Sequence, residues 1–413
     1  MNSKKGLNFN WQQLALWMGA LIIGSSLGAL NVDALNDFFN FIAAIYTRLF
    51  KFAAVPTIAL AVTTTLALQR ENRNTGKIFL HTIIWTLLTT IAAAAIGALL
   101  YKFIAPGNVP AAMISQTAAQ PAQNFSVYNH ITAVFPDNII TPFAAGNVLS
   151  ILLIAAAAGL TLAFMPESEN TRTLLKVILG AQELLFGFIK ALVWSLPLGI
   201  IAFSAQLTAQ ISAGAAIDSI GKYVAVILSG NFLQFLVILP LFLLMRKINP
   251  FRVFRAMLPA VLMAFFTKSS TATLPVTIAS AENNLKAKPE VARFVLPICC
   301  TINMNGCAAF IMVTSLFLLQ NGGVELTFTT VLLWLLISVI SAVGNAGVPM
   351  GCYFLTLSLV AGAGVPIGIM GMILPVYALI DMVETGVNVW SDSCVCAMVD
   401  KSVSTDSRSK IME

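Results

Sequence analysis

Asp381, Glu384, Thr385, Asn388 and Asp392 stand at offsets 0, 3, 4, 7 and 11 in a segment otherwise made mostly of Met, Val, Gly and Trp. An α-helix turns about 100° per residue, so these offsets fall within an arc of about 100° and form one polar stripe. A carboxylate at the centre of a bilayer costs about 2.5–3.5 kcal/mol, so three on one face of an apolar helix require cations or a wet cavity opposite them. The chemistry this stripe can do is cation recognition, of dehydrated metal ions or of an ammonium group. A solvated helix end near the cytoplasm would account for Asp392, but not for Asp381 and Glu384 together.

A second donor set precedes it in Thr301-Ile-Asn303-Met304-Asn305-Gly306. Amide and carbonyl oxygens suit a hard cation such as sodium, and Gly306 lets a helix unwind and free those carbonyls. The plainer reading is an asparagine that bonds a neighbouring helix. Two further polar runs interrupt apolar sequence, at 267–275 (Thr267 to Pro275, with Lys268, Ser269 and Ser270) and at 344–351 (Gly344 to Gly351, with Asn345 and Val348). Backbone broken by Gly, Pro and hydroxyl residues at membrane depth is tolerated only where protein or a water-filled cavity covers it. Each run therefore reads as the tip of a re-entrant hairpin, over about 254–288 and 325–362, and each hairpin is followed by a long span. Paired interrupted segments of this kind point to a transport site near the midplane. Two functionless Pro-kinked helices are the alternative.

The elements that must position these residues follow from composition. The chain has 413 residues, 58% hydrophobic and 10% charged, with a mean hydropathy of +0.88; soluble domains carry about 25% charged residues. Apolar stretches of about the 20 residues a spanning helix needs occur at about 14–30, 40–68, 78–104, 143–165, 174–204, 221–245, 291–319 and 366–390. The expected fold is an all-α integral membrane protein with eight transmembrane helices and two re-entrant helical hairpins. Residues 1–250 read mainly as scaffold, with some helices possible members of a moving part, 251–400 as a transport core, and 401–413 as a cytoplasmic tail. Lys4 and Lys5 ahead of the apolar run from Leu14 resemble the start of a signal peptide, but the many spans that follow favour a retained helix.

The 23 Lys and Arg exceed the 17 Asp and Glu, for a net charge of +6. They sit at span ends rather than in one patch, so they report topology and not a nucleic-acid partner. Lys4 and Lys5, Arg70, Arg73 and Lys77, Arg172 and Lys176, and Arg246, Lys247, Arg252 and Arg255 mark alternate connections as cytoplasmic, with both termini inside a cell (inner) membrane. The six cysteines, Cys299, Cys300, Cys307, Cys352, Cys394 and Cys396, read as small packing residues; Cys394 and Cys396 have no histidine near and face different sides of a helix. An enzyme would want a His, a Ser–Lys pair or a metal cluster. Only His81 and His130 are present, and Lys268-Ser269, adjacent in a loop, has no base geometry. A channel would need polar residues along several spans, which the N-terminal half lacks.

At these motifs the chain resembles the dicarboxylate/amino acid:cation symporters. The 267–275 run is similar to that family's first hairpin tip, Thr301–Gly306 to its Asn-Met-Asp-Gly motif, Gly344–Gly351 to its second hairpin tip, and Asp381–Asp392 to its last-helix signature. The resemblance implies a homotrimer in which the hairpins and the last two long spans move as an elevator against a trimerisation scaffold, with the second hairpin as gate. It implies an amino-acid substrate whose ammonium meets Asp381 and whose carboxylate meets Asn388, within a pocket of Thr385, Ser269, Ser270, Cys307 and Val348. It implies one sodium site at Asp392 with carbonyls of Asn303, Gly306 and Asn388, and a second at backbone oxygens near Thr301 and Met304 with Ala342, Val343 and Asn345.

Three departures bear on substrate and coupling. Glu384 occupies the place of an arginine that binds the side-chain carboxylate in acidic-substrate members, and Cys307 that of a pocket threonine. A glutamate repels a carboxylate that an arginine fork would pair with, so a basic or neutral amino acid is expected. Three roles are open to Glu384: binding the positive end of a basic substrate, carrying a proton beside a neutral one, or pairing with Lys268. Asn305 replaces an aspartate that holds a deeper sodium with hydroxyls here equivalent to Thr89 and Thr90. Without that carboxylate the third ion is expected to be absent, which leaves sodium, or protons in its place, as the coupling ion.

Overall fold

The computed structural model describes residues 11–68, 76–109, 135–145, 148–212, 217–343, 345, 350–363, 365 and 367–409, and every regular element among them is helical. An N-terminal layer contains α1 (Trp11–Ala29), α2 (Asp33–Leu68), α5 (Val148–Phe164) and α6 (Glu169–Ser212), with α3 (Gly76–Ile104) and the short α4 (Ile140–Ala145) between α2 and α5 in the chain. Within this layer α1 packs on α6, and α2 on α5 and α6. Gly24 and Gly28, four residues apart on α1, allow the first of these contacts: a Cβ on Gly28 would lie 2.7 Å from the Cα of Ala205. Small residues at that spacing let helices approach without a hydrophobic driving force, as a bilayer requires. Ile22, Ile23, Phe41, Leu184 and Trp194 on these helices are exposed, an apolar exterior suited to lipid.

The second layer is centred on α12 (Asn305–Asn321), which packs against α3 and is buried on every side from Asn305 to Leu319. With α11 (Pro289–Ile302) it forms one long span, interrupted at Asn303 (φ −98°, ψ 67°) and Met304 (φ −102°, ψ 68°). The other long spans are α7 (Ile217–Leu233), carried on through a π turn at Gln234–Ile238 into α8 (Leu239–Met245), and α15 (Gly368–Ser409). Segments Gly368–Leu374 and Leu379–Val403 of α15 meet at 79°.

Two helix pairs stand close to the positions expected for the hairpins. The first joins α9 (Pro250–Thr267) to α10 (Ser270–Ser280), which ends in a π turn at Ala281–Leu285. Its tip is made by local rules: Lys268 takes the left-handed conformation (φ 55°) that ends α9, and Ser269 Oγ accepts from Ala272 N at 3.2 Å to start α10. The second joins α13 (Phe328–Val343) to α14 (Gly351–Gly362); of its tip only Asn345 and Met350 are described, and Val348 lies outside the described residues.

Among the described residues four helices are long and apolar enough to cross a membrane, Ile78–Ile104, Asp218–Met245, Pro250–Thr267 and Pro289–Asn321, or up to six if each bent pair is one span. Eight were expected. Hydropathy reads composition alone, so it merges stretches that the backbone breaks or bends, and it does not set an arm such as α9 apart from a span. The expected outer loop, 105–142, is described only at 105–109 and 135–142, and His130 lies outside the described residues. At the other end, Lys401 Nζ donates to Lys247 O (2.9 Å) and Arg246 Nη2 to Ser402 Oγ (2.8 Å), which seats the C-terminal part of α15 on the basic α8–α9 connection.

Candidate substrate and cation site

The polar stripe of α15 faces protein. Asp381, Glu384, Thr385, Asn388 and Asp392 are at most 5% exposed. Its first member is tied to the second polar run: Met350 N, just ahead of α14, donates to Asp381 Oδ2 at 3.1 Å, while Lys268, at the end of α9, is buried as well. Tyr377, one turn earlier, donates to Asp381 Oδ1 (3.4 Å) and to Glu384 Oε2 (3.2 Å). Glu384 Oε1 has no hydrogen-bond partner among the described residues. A buried anion held by one phenol is left with an uncompensated desolvation cost, which an arriving cation or a proton would offset.

Other expected substrate contacts are placed less directly. Thr385 Oγ1 donates to its own helix at Asp381 O, 2.7 Å away. Ser269 is used as the cap of α10, with Ser270 buried beside it. Asn388 Oδ1 accepts from Gly306 N at 2.8 Å, so the last helix and the start of α12 are joined at the expected pair.

The oxygen donors expected for cations are brought together in part. Asn303 Nδ2 donates to Asp392 Oδ1 (2.9 Å) and Ser391 Oγ (2.9 Å). The break at Asn303 and Met304 ends α11, and the last turn of a helix carries carbonyls without intrahelical partners, at its negative end. Thr301 stands in that turn, its hydroxyl bonded to Ile298 O at 2.9 Å. Ala342 and Val343 end α13 in the same way, although the Ala342 carbonyl already accepts from Asn345 N at 3.1 Å. Asn303, at the end of α11, thus stands beside the Asp392 carboxylate, and oxygens of both kinds suit a hard cation.

Deeper in, Asn305 is fully engaged. Its Nδ2 reaches Ser391 Oγ (2.7 Å), Asn303 Oδ1 (2.9 Å) and Thr89 Oγ1 (3.4 Å), and its Oδ1 accepts from Gln234 Nε2 at 2.7 Å. Thr90 Oγ1 is buried without a partner among the described residues and joins none of these bonds. Gln234 and Tyr377 were missed in the sequence. Gln234 lies three residues after Asn231 in an apolar helix, a polar pair on one face, and Tyr377 lies on the carboxylate stripe, disguised by its ring.

Gly306 is required by contact rather than by conformation. A Cβ there would lie 2.7 Å from Glu384 Cα, 2.8 Å from Glu384 O and 3.0 Å from Asn231 Oδ1. Two of these are backbone atoms that no rotamer relieves, so Gly306→Ala should separate α12 from α15. A loss of about 1–3 kcal/mol of stability, with loss of transport, is expected; thermal unfolding in detergent together with uptake checks it, and a native melting temperature and rate would contradict it.

The cysteines require a correction. Cys299, Cys300, Cys394 and Cys396 are free and buried, as packing residues should be, but Cys307 and Cys352 are joined by a disulfide between α12 and α14, with Cα atoms 5.5 Å apart. Asn345 Nδ2 donates to both sulfurs (2.9 and 3.0 Å), and Asn388 Nδ2 to that of Cys307 (3.4 Å). Forty-five positions separate the two, and the packing of α14 on α12 brings them together.

Residues 14–402 match the sodium:dicarboxylate symporter family, and the chain belongs to it. It is a membrane transport protein and not an enzyme. It is 26% identical to excitatory amino acid transporter 3 of Oryctolagus cuniculus, over 97% of this chain and 87% of that protein, and 26% identical to the Homo sapiens protein of that name, over 96% and 86%. It is 28% identical to neutral amino acid transporter B(0) of Oryctolagus cuniculus, over 86% of this chain and 72% of that protein.

Proposed function

We propose that this chain is a sodium-coupled symporter for a basic or neutral amino acid. The observation that carries the reading is Asp381, a buried carboxylate that accepts from Met350 N, beside Glu384, whose second oxygen is unpartnered among the described residues. Asp381 binds the substrate ammonium in exchange for its internal contact with Met350. Glu384 faces the side chain: a basic group pairs with it, a neutral one leaves it to carry a proton, and a carboxylate is repelled. The relatives include transporters named for excitatory and for neutral amino acids, so likeness alone does not choose between substrates, and Glu384 does.

Sodium binds at Asp392 with the carbonyls of Asn303, Gly306 and Asn388, and at the chain ends of α11 and α13 near Thr301, Met304, Ala342, Val343 and Asn345. The third site is replaced by the Gln234–Asn305 bond: an amide N–H stands where a carboxylate would have offered an oxygen to a cation. The hairpins are re-entrant, the second acts as gate, and the core moves as an elevator against a homotrimeric scaffold. Both termini lie in the cytoplasm, in keeping with the seating of α15 on the basic α8–α9 connection. A proton-coupled symporter of the same fold is the second reading, favoured by the single partner of Glu384.

Uptake into liposomes tests the proposal. With purified protein, an inward sodium gradient should drive accumulation of a basic or neutral amino acid and leave aspartate outside. Aspartate entry at a comparable rate would refute the role of Glu384, and accumulation driven equally by a proton gradient without sodium would favour the second reading.

A further inference from the structure

We propose that the cleft at the start of α9 binds the phosphate head group of an anionic membrane lipid. The cleft has a volume of about 470 Å³ and is lined by Asn249, Phe251, Arg252, Arg255, Ala256 and Asn284. Its polar lining is made of arginines and amides, with no Asp or Glu among the lining residues. Arg252 and Arg255 stand three positions apart on one face of α9, and both side chains are exposed and unpaired among the described residues. Glu282, two positions before Asn284, is already held by Arg293 Nε at 2.6 Å and Nη2 at 3.1 Å, so it does not neutralise them. The walls of the cleft are fixed by hydrogen bonds. Asn284 Nδ2 donates to Ala256 O at 3.0 Å, which ties the π turn after α10 to α9. Asn249 Oδ1 accepts from Phe251 N (2.9 Å) and Arg252 N (3.2 Å). The cap thus uses the backbone donors at the start of α9 and leaves the two guanidinium groups to meet a ligand.

The chemistry of the ligand follows from these donors and from what stands beside them. A guanidinium fork pairs bidentately with phosphate oxygens, and two forks on one helix face suit the charged oxygens of a phosphodiester. Phe251, on the wall of the same cleft, is 72% exposed, and Leu244 and Met245 at the end of α8 are exposed as well. A free phosphate would satisfy the arginines and leave this apolar surface in water; a lipid meets the arginines with its head group and the apolar side chains with its acyl chains. The other basic residues of this corner are engaged within the protein. Arg246 Nη2 donates to Ser402 Oγ, its guanidinium lies 5.6 Å from the centre of the Trp85 ring, and Lys401 Nζ donates to Lys247 O. Those cations hold helices together, while Arg252 and Arg255 face the cleft. A lipid bound there fastens the start of α9, which packs on α15, to the surface of the leaflet.

The test uses the full chain in detergent, titrated with phosphatidylglycerol or phosphatidylcholine and read as bound lipid by native mass spectrometry, with inorganic phosphate added as competitor. None of these readings depends on transport. Phosphatidylglycerol should bind more tightly than phosphatidylcholine, and phosphate at the same concentration should not displace it. At about 1 kcal/mol for each basic residue, the double variant Arg252→Gln with Arg255→Gln should bind phosphatidylglycerol about 30-fold more weakly, with a native melting temperature, since neither side chain has a partner to lose. Arg255→Gln alone serves if the double variant does not fold, with a loss of about fivefold. Arg172→Gln with Lys176→Gln removes the same charge from another connection and should leave the affinity unchanged. Native affinity in the Arg252 and Arg255 variant, or an equal loss in both double variants, overturns the site. Equal binding of the two lipids, or displacement by phosphate at the same concentration, overturns the lipid as its ligand.

Discussion

Asp381→Asn should abolish amino-acid binding while leaving the helical fold in place. The substitution keeps the shape of the side chain and removes the charge that an ammonium needs. Removing one partner from a buried charge pair costs about 3–5 kcal/mol, roughly 150- to 5,000-fold in Kd. Calorimetric titration of the variant checks this. Lys268 complicates the experiment, because its charge is coupled to Asp381 and the variant strands it in a buried site. The double variant with Lys268→Ala removes that burden, and it should recover the melting temperature without recovering binding. Binding at native affinity in either variant would remove Asp381 from its assigned role.

Glu384→Arg should move the preference of the site toward acidic amino acids. At about 6 Å, in an effective dielectric of about 20, a unit charge pair is worth about 3 kcal/mol, so reversing the sign turns a roughly hundredfold penalty on aspartate into an attraction. Glu384 is 1% exposed, and arginine is larger, so the pocket has to yield. Glu384→Gln avoids that demand. It keeps the size and deletes the charge, and it should raise aspartate affinity while lowering that for lysine. Competition of unlabelled amino acids against labelled uptake measures both. An unchanged order of preference in the glutamine variant would show that Glu384 does not face the substrate.

The carboxylate stripe was legible because helical periodicity alone puts 381, 384, 388 and 392 on one face, and burial there has only a few chemical justifications. The two interruptions were legible because Gly, Pro and hydroxyl residues inside apolar sequence have no lipid-facing solution, and helices do end at Thr267 and Val343 and begin again at Ser270 and Gly351. What pairs across the fold was not legible. The bond from Gln234 to Asn305 spans 71 positions, and the Cys307–Cys352 bridge spans 45; no periodicity connects such residues. Lys268 was visible as a charge in a polar tip, but not that it would end α9 as a left-handed residue. Hydropathy also cannot see a break such as Asn303–Met304 or the 79° bend between Gly368–Leu374 and Leu379–Val403.

Binding of the twenty amino acids to the purified chain, each titrated with sodium present and with sodium replaced by choline, tests whether the inward-facing acidic ridge of α15 exists to receive a positively charged guest with its ions. A basic or neutral amino acid should bind only when sodium is present, and aspartate and glutamate should not bind in either medium. Tight binding of aspartate, or affinity for any amino acid that is indifferent to sodium, would contradict it.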